Sequence, residues 1–518
     1  MFHYLSLVLI LLFAVSTLFL FPRSRRARQS RLRLPPGPSG LPLLGNLLSM
    51  PSGFEWETYA RWSQECKSDI VHIDVVGSSV IVLSSVKAVN DLLEKRSSLY
   101  SDRPRFPMVN ELMGWNFNFA FMKYGERWRK LRKLFHQHFN AEGVIRYHPQ
   151  QRAACHELLR RLLDDPERFL GHLRHMSGEI IMSTVYGINV RPQDDPYIQT
   201  AEAALQTLVH ASIPGRFLVD LLPSLMHVPP WFPGAGFKKI AREWRRLSSD
   251  LVNLPFEETK RQLAAGDDPP SFASSLLSAT PPVEEEAIKQ AAGTSYSAGA
   301  DTTVSVLGTF ILAMLANPQA QHKAQQELDR VCDGRLPEFE MFHEAESTMP
   351  YVCAVIREVL RWQPALPLVP HFIETEDEYR GFRIPAQSIV LVNIWQVPEQ
   401  CRAILHDESV YPHAESFLPE RWLLPTAALN PAMKGWELAF GLGRRACVGR
   451  HLAMSSIWMS ITSILATLDI QKAVDKHDVV IEPTNEYISG LVMQPVPFKC
   501  SIVPRSSGAV SLIRETAR

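Results

Sequence analysis

The sequence lacks the patterns that mark several classes of protein. Its seven cysteines are scattered over 518 residues without a CxxC pair, which argues against a disulfide framework and suits a reducing compartment. Lys plus Arg and Asp plus Glu both total 54, so the overall charge gives no indication of nucleic-acid binding. We see no internal repeat and no low-complexity tract. An ordinary globular balance remains, with 46% hydrophobic and 21% charged residues.

Charge is also missing from the N-terminal segment. No charged side chain occurs in residues 1–21, and 5–21 are almost continuously apolar. About 20 such residues suffice to span a bilayer core. The arginines that follow within twelve residues are Arg23, Arg25, Arg26, Arg28, Arg31 and Arg33. Because positive charge stays on the cytosolic side, we expect a transmembrane signal anchor at 1–22. A cleaved signal peptide, the alternative, would normally begin with its basic residues.

A proline-rich segment connects this anchor to the rest of the chain. Residues 34–46 read LPPGPSGLPLLGN, and prolines fix the backbone while glycines allow turns. Together with the arginines it forms a basic and proline-rich strap at 23–46. The remaining residues, 47–518, are expected to form one large domain.

Helical patterns dominate that domain. Two β-branched runs, 70–74 and 80–84, predict a hairpin around Gly77, and short strands are predicted within 375–395 and 490–503. The predicted helices cover 87–95, 124–139, several stretches of 150–263, then 283–315, 319–331 and 351–362. The long helix at 283–315 begins with acidic residues that complement its dipole, and about 30 residues give a rod of roughly 45–50 Å. The fold class is therefore mainly α with a minor β lobe.

One cysteine lies in a pattern suited to chemistry. Residues 440–449 read FGLGRRACVG, and a helix is predicted at 451–465. Glycines allow tight turns and close approach to a flat ligand. A helix N-terminus after Cys447 should lower the pKa of its thiol and favour the thiolate. A thiolate is an axial ligand of haem iron that promotes O–O cleavage, and Arg445 can reach a haem propionate.

Two other interpretations of this segment are possible in principle. A lone cysteine is more often a small core residue than a ligand. The segment also matches the dinucleotide-binding pattern GxGxxA through Gly441, Gly443 and Ala446. That pattern requires a strand before it and an acid about 20 residues later. Neither feature is present, so the dinucleotide interpretation fails.

The same ten residues closely resemble the haem-binding signature of the cytochrome P-450 family, F-G-x-G-x-R-x-C-x-G, at every fixed position. The resemblance implies the cytochrome P-450 fold and haem b (iron protoporphyrin IX) as cofactor. It also implies that 47–518 is a haem-thiolate mono-oxygenase domain. Cys447 would be the axial iron ligand, and Phe440, Gly441 and Arg445 would contact the haem.

The long helix carries a second motif, AGADTT at 298–303. A helix with a small packing face is the plain interpretation, but Asp301 and Thr302 are polar groups in an otherwise apolar stretch, and buried polar groups need a reason. The string resembles the family's oxygen-activation motif. The resemblance implies that Gly299 makes room beside the haem, that Asp301 relays protons and that Thr302 holds dioxygen and its water.

Further residues of the resemblance lie along the whole chain. Glu358 and Arg361, at i and i+3 on a predicted helix, would form a structural buried triad with Arg421. The resemblance places three more residues at the haem propionates: Trp128, Arg132 and His371. Without it, these would be an ordinary basic helix and a satisfied polar histidine.

No segment remains for binding a flavin or a nicotinamide. The resemblance therefore implies that NADPH supplies electrons indirectly, through a membrane-bound NADPH–cytochrome reductase. It also implies a single-pass protein of the endoplasmic-reticulum membrane with a cytosolic catalytic domain. The candidate docking residues are basic, with a solvated surface as the plain alternative: Arg127, Arg129, Lys130, Lys133, Arg444 and Arg450.

The substrate is expected to be a small lipophilic molecule. Candidate pocket walls are 106–121, 365–369 and the region of Ser297, the first rich in aromatic residues and methionine. The strings NELMGW and PVPFKCSIVPRS are similar to fungal (basidiomycete) members that act in secondary metabolism, which makes a terpenoid the first expectation. An indole or polyketide aromatic substrate is the second. A haem-thiolate isomerase or dehydratase without a reductase, and a non-enzymatic carrier, are the other hypotheses.

Two stretches stand apart. The run 217–237 is unusually apolar and broken by prolines; it is expected to dip into the membrane, with a helix connection as the alternative. Residues 396–402, QVPEQCR, exceed the family pattern by about seven residues. They are either a tolerated surface bulge, since loop entropy grows slowly with length, or a faulty gene model.

Overall fold

The structure is a computed structural model, and it describes residues 32–213, 215–395, 405–408 and 410–517. The expected anchor (1–22) and the surplus segment 396–402 lie outside the described residues. The strap is described from residue 32. It lies along the first strand, where the His72 N–H donates to Pro36 O at 2.9 Å and the Asn46 N–H donates to Asp74 O at 2.6 Å.

Helices make up most of the described chain, as predicted. They are α1 (Glu55–Glu65), α2 (Val86–Val89), α3 (Ser97–Tyr100), α4 (Glu126–Phe139), α5 (His148–Asp164), α6 (Phe169–Ile181), α7 (Pro196–Ala211), α8 (Leu218–Leu221), α9 (Gly236–Ala264), α10 (Phe272–Leu277), α11 (Glu285–Ala316), α12 (Pro318–Cys332), α13 (Phe339–Phe342), α14 (Ala345–Thr348), α15 (Pro350–Trp362), α16 (Arg450–Thr467) and α17 (Ser507–Glu515). The helix predicted at 87–95 is α2 continued by a wider π turn at Asn90–Glu94.

The strands are short and form a minor part of the molecule. They are β1 (Ile70–Val75), β2 (Ser78–Leu83), β3 (Leu368–Ile373), β4 (Asp377–Tyr379), β5 (Phe382–Ile384), β6 (Ser388–Asn393), β7 (Leu468–Lys472), β8 (Tyr487–Ile488), β9 (Gln494–Pro495) and β10 (Cys500–Pro504). The main sheet has the order β1-β2-β6-β3, with β2 and β6 parallel and the other pairs antiparallel. The predicted hairpin is the β1–β2 pair. The predicted mainly α fold with a minor β lobe is confirmed.

Helix α11 forms the centre of the core. It is apolar around most of its circumference, and residues 303–315 are all buried, as expected for a helix surrounded by protein. Glu285 and Glu286 occupy its first turn, as predicted. It packs against α4, α6, α9, α15 and α16. Among the described residues this is the helix long and apolar enough to cross a membrane, and 72% of that window is buried inside the protein.

Candidate functional site

The loop that carries Cys447 is held in a fixed turn immediately before α16. The backbone N–H of Cys447 donates to Phe440 O at 2.7 Å, which closes the loop. Gly441 and Gly443 have φ of 74° and 61°, a region that favours glycine. A Cβ on Gly443 would lie 2.3 Å from Leu93 O. The tight turn expected from these two glycines is therefore present.

Cys447 lies on a cavity between helices. About 990 Å³ of space, part of it open to solvent, separates α11 from the cysteine loop and from the start of α16. The lining residues of interest come from five parts of the chain: Arg103, Phe119, Trp128, Arg132, Ser177, Ile181, Gly299, Thr302, Arg445, Cys447 and Leu452. A smaller neighbouring cavity is lined by Leu93, Val369, His371 and Gly441, among others. The structure therefore brings the cysteine loop and the long helix to opposite sides of one space.

The environment of the Cys447 thiol corrects one expectation. A hydrogen bond from the Gly449 backbone and the charges of Arg132 and Arg450 lower the pKa of the thiol, but burial outweighs them and the net shift is upward. Cys447 is an exposed residue that lines the cavity. The helix N-terminus alone therefore does not produce a thiolate, and a bound cation would be needed to favour the deprotonated form.

Three arginines converge on the same cavity: Arg103, Arg132 and Arg445. Arg445 donates to Ser101 O at 2.7 Å, to Phe119 O at 3.1 Å and to Met122 O at 2.7 Å. Arg132 donates to Ala446 O at 2.7 Å, directly before the cysteine. Arg103 donates to Ala120 O at 2.9 Å and to Pro370 O. Arg445 thus ties the cysteine loop to the segment around residue 120, Arg132 ties the same loop to α4, and Arg103 ties that segment to β3.

These arginines have little compensation from negative charge. Within the described part of the chain none of the three forms an ion pair at 4.0 Å or less, and Asp102 is the carboxylate that acts on Arg103 and Arg445. Burial lowers the pKa of Arg103 to about 10 and that of Arg445 to about 9. The charges of Arg103 and Arg132 lower the pKa of Arg445 further, and the charge of Asp102 opposes the shift of both Arg103 and Arg445. A buried charge is costly unless it is paired. An anionic ligand with two carboxylates would relieve this cost, so the residues present fit a haem whose propionates point this way.

Trp128 and His371 lie next to this arginine cluster. Trp128 is buried, with the Arg445 guanidinium 4.5 Å and the Arg132 guanidinium 5.3 Å from its ring centroid. The Nδ1 of His371 is 2.8 Å from Tyr100 O, so that nitrogen donates. Burial and the charge of Arg103 hold the pKa of His371 well below its ordinary value. The imidazole is therefore neutral in the protein alone, and its Nε2 is an acceptor.

On α11 the predicted motif residues face different directions. Gly299 and Thr302 line the cavity, whereas Asp301 is not among its lining residues. The Thr302 hydroxyl donates to Ala298 O at 2.9 Å. A Cβ on Gly299 would lie 2.6 Å from Ile181 Cδ1, so this glycine is required for packing of α11 against α6. Asp301 is largely buried, and burial raises the pKa of its carboxyl group.

Glu358, Arg361 and Arg421 form one buried cluster, at 0%, 0% and 4% side-chain exposure. Glu358 accepts two hydrogen bonds from Arg361 at 2.8 Å and one from Arg421 at 3.0 Å. Trp422 Nε1 donates to the same carboxylate at 2.9 Å. Arg361 also donates to Leu405 O and Ala414 O. The cluster therefore joins α15 to the segment that precedes the cysteine loop.

Comparison with protein families identifies the class. The family model described as "Cytochrome P450" matches residues 35–502. The chain belongs to the cytochrome P450 family. It is therefore an oxidoreductase of the mono-oxygenase type, and the family implies a haem-thiolate cofactor.

Similar proteins come from fungi. The chain is 44% identical to cytochrome P450 monooxygenase 98 of Postia placenta, over 98% of this chain and 96% of that protein. It is 42% identical to cytochrome P450 monooxygenase ple1 of Rhodocybe pseudopiperita, over 94% and 92%. It is 37% identical to tryptamine 4-monooxygenase of Psilocybe cyanescens, over 96% and 98%. The predicted resemblance to basidiomycete members of the cytochrome P450 family is confirmed.

Within this cytochrome P450, the predicted docking residues share one property. All six basic side chains are exposed. Several have local partners: Arg444 donates to the Tyr124 hydroxyl at 2.7 Å, Arg127 donates to Gln290 at 2.9 Å, and Lys130 pairs with Glu284. These contacts orient the side chains while leaving them at the surface.

The predicted pocket walls divide between cavity and core. Phe119 and Ala120 line the main cavity and Val369 lines the smaller one. Met108, Met113 and Trp115 are fully buried in the core. Ser297 accepts a hydrogen bond from Asn118 at 2.9 Å and joins α11 to the 106–121 segment. Part of that aromatic stretch is therefore core rather than pocket wall.

Sequence reasoning missed Arg103 in this cytochrome P450. It occurs in SDRPR, which reads as an ordinary polar turn, and no local signal indicates that its guanidinium is buried at the cavity. It also missed Arg174, Glu202 and Gln494, which surround Asp301 from α6, α7 and β9. These residues are far apart in sequence, so only the tertiary structure brings them together.

Proposed function

We propose that this cytochrome P450 is a reductase-dependent mono-oxygenase that oxidises a small lipophilic secondary metabolite, a terpenoid in the first instance. The observation that carries the proposal is the meeting of one sulfur and three arginines, Arg103, Arg132 and Arg445, on a single cavity below α11. Cys447 would bind the haem iron as its axial ligand. Arg103, Arg132 and Arg445 would hold the propionates, a charge-assisted interaction that suits the guanidinium group.

The bound haem would supply oxygen activation, because an axial thiolate promotes O–O cleavage. The chain's own residues would control water and protons around it. Thr302 presents a hydroxyl to the cavity, and Asp301 lies behind it on the same helix as the proton reserve. This pair supports the mono-oxygenase over a haem-thiolate isomerase or dehydratase, which needs no directed protons.

Electrons would come from NADPH through a membrane-bound reductase. The exposed basic residues lie on α4, in the Cys447 loop and at the first position of α16. A basic face of this kind steers an acidic partner and makes docking salt-dependent. The site of docking would therefore lie on the cysteine side, while substrate enters from the opposite side.

The chemistry of the cavity supports a neutral substrate. No Asp or Glu lines it within the described residues, while apolar side chains contribute Phe119, Ile180 and Ile181. A protonated amine would lack a carboxylate partner there. A terpenoid scaffold fits this lining better than an indole amine. An indole substrate remains the second candidate because one relative is a tryptamine 4-monooxygenase.

The proposed location is the endoplasmic-reticulum membrane, with the catalytic domain in the cytosol. Exposed apolar side chains support this on two segments of the described surface. Leu43, at 61% exposure, belongs to the strap, and Leu48, at 73%, lies just after it. Trp231 at 80% and Phe232 at 51% belong to the 217–237 run. Apolar side chains of this size in water mark an interaction surface. The 217–237 run would enter the headgroup region and admit lipophilic substrate.

The test is turnover with defined partners. The full chain is co-expressed with an NADPH–cytochrome reductase, and its membranes are given a panel of terpene scaffolds, tryptamine and an aromatic polyketide. The proposal expects an oxygenated terpenoid that forms only with NADPH and reductase. Product formation without either of them would support the isomerase instead. Turnover of tryptamine alone would replace the terpenoid with the indole candidate.

A further inference from the structure

Asp301 lies in a pocket of charged and polar groups behind the cavity wall. Arg174 on α6 lies near it and lowers its pKa by electrostatic attraction, and the amide of Gln494 on β9 hydrogen bonds to it and acts in the same direction. Burial acts in the opposite direction and is larger. The carboxyl group is thus held by neighbours without being in a direct ion pair within the described chain.

Arg174 is engaged elsewhere at the same time. Its Nε lies 3.6 Å from Glu202 Oε1 on α7, and its Nη2 donates to Gln494 Oε1 at 3.4 Å. Glu202 and Arg174 have side-chain exposures of 40% and 35%, so solvent reaches this pair. Burial raises the pKa of Glu202; Arg174 lowers it, and the charge of Asp301 adds a smaller upward contribution.

The backbone around this group is fixed on both sides. Ser177, one turn after Arg174, donates to Gly299 O at 3.0 Å. Ser305, one turn after Asp301, donates to Met493 O next to Gln494. Helix α6 and strand β9 are therefore each anchored to α11 within one turn of Asp301, and the positions of Arg174 and Gln494 relative to it are set by these anchors.

We propose that Glu202 and Asp301 compete for the positive charge of Arg174, so that Glu202 controls how readily Asp301 holds and releases a proton. The inference rests on the proposed function of Asp301 as proton reserve. While Glu202 is ionised it retains Arg174, and Asp301 keeps its proton until it passes to the Thr302 side. Asp301 is then a carboxylate, and a proton from solvent on the Glu202 side restores it. Arg174, Glu202 and Gln494 are positioning residues in this scheme.

Substitutions of Glu202 and of Arg174 are predicted to shift the pKa of Asp301 in opposite directions. Arg174 attracts the carboxylate of Asp301, whereas Glu202 draws Arg174 away from it. In Glu202→Gln, Arg174 is free to turn to Asp301, and the pKa of Asp301 falls by about 0.5–1 unit. In Arg174→Gln the stabilising charge is lost, and the pKa of Asp301 rises by a similar amount. Arg174→Lys keeps the charge and restores the parent behaviour in large part.

The primary test is the titration of Asp301 in the purified full chain. Infrared difference spectra between the parent and Asp301→Asn identify the carboxyl band of Asp301, and its intensity is followed against pH in each variant. Opposite shifts in Glu202→Gln and Arg174→Gln support the proposal. Equal shifts, shifts of the same sign or no shift overturn it. Matched controls are Glu243→Gln and Arg242→Gln, two exposed residues of α9.

A second readout uses the loaded enzyme with its reductase. The alkaline limb of the kcat profile should move to lower pH in Glu202→Gln and to higher pH in Arg174→Gln. Hydrogen peroxide released per NADPH should increase several-fold in Glu202→Gln at pH 8. If the alkaline limb of the kcat–pH profile lies at the same pH in both variants as in the parent, the competition scheme is wrong. If the parent itself does not turn over, the proposed function fails, whereas the titration still decides the charge competition.

Discussion

The guanidinium of Arg361 and the carboxylate of Glu358 form a bidentate pair in which both hydrogen bonds measure 2.8 Å and both side chains are fully buried. Removing one partner leaves a buried charge without compensation, which typically costs about 3–5 kcal/mol. We therefore expect Glu358→Gln to lower the free energy of unfolding by that amount and to reduce the yield of haem-containing protein. Urea unfolding measures the first effect and the haem-to-protein absorbance ratio the second.

A matched control is available near the same helix. Glu346 is 73% exposed in an ion pair with Arg357 on α15, and exposed pairs contribute about 0–1 kcal/mol. Glu346→Gln should therefore change stability by less than about 1 kcal/mol. Equal losses in Glu346→Gln and Glu358→Gln would contradict the structural role assigned to the buried cluster.

Gly299 is expected to be intolerant of a side chain because of Ile181. A methyl group at Gly299 would lie 2.6 Å from Ile181 Cδ1, and overpacking of this kind costs about 1–3 kcal/mol. Gly299→Ala should be destabilised by about 1–2 kcal/mol, and Ile181→Val should remove part of that loss by deleting the clashing carbon. A double-mutant cycle on unfolding free energies measures the coupling. Strict additivity would show that the two residues do not meet.

Gly171→Ala provides the comparison for that experiment. It is also a helical glycine, on α6, and a Cβ there would meet nothing within 4 Å. Alanine has a better helix propensity than glycine by about 1 kcal/mol. This variant should therefore be as stable as the parent or slightly more so.

The features that depend on residues close together in the sequence could be predicted from it, whereas those that depend on distant segments could not. The Glu358–Arg361 pairing follows from i, i+3 spacing on one helix, and the cysteine loop from a contiguous string. The orientation of Asp301 away from the cavity, and the burial of Arg103 against Ala120 O and Pro370 O, depend on segments far apart in the chain. No local pattern determines these. Burial likewise reversed the expected shift of the Cys447 pKa.

Asp220 is expected to make stability depend on pH. Burial raises the pKa of this carboxyl group to about 6, although it accepts a hydrogen bond from the Met108 backbone at 2.9 Å. A folded-state pKa above the unfolded value near 3.9 means that protonation stabilises the fold. That contribution is complete below about pH 4 and is lost as pH rises through about 6.

Asp220→Asn keeps an acceptor for Met108 and removes the buried charge. It should be more stable than the parent at pH 8, by about 1–2 kcal/mol, and the difference should shrink at pH 5. Chemical unfolding at the two pH values measures both differences. A loss of stability in the variant at pH 8 would show that the ionised carboxylate is favourable where it lies.

The central claim is that the sulfur of Cys447 is the ligand of the haem iron. One spectrum tests this claim. The purified full chain is reduced under carbon monoxide, beside Cys447→Ala and the control Cys66→Ala, whose half-buried cysteine directly follows α1. We expect the red-shifted Soret band of thiolate ligation in the parent and in Cys66→Ala, because Cys66 does not line the cavity, and the loss of that band in Cys447→Ala. A parent spectrum without that band, or the same band in Cys447→Ala, would contradict the account.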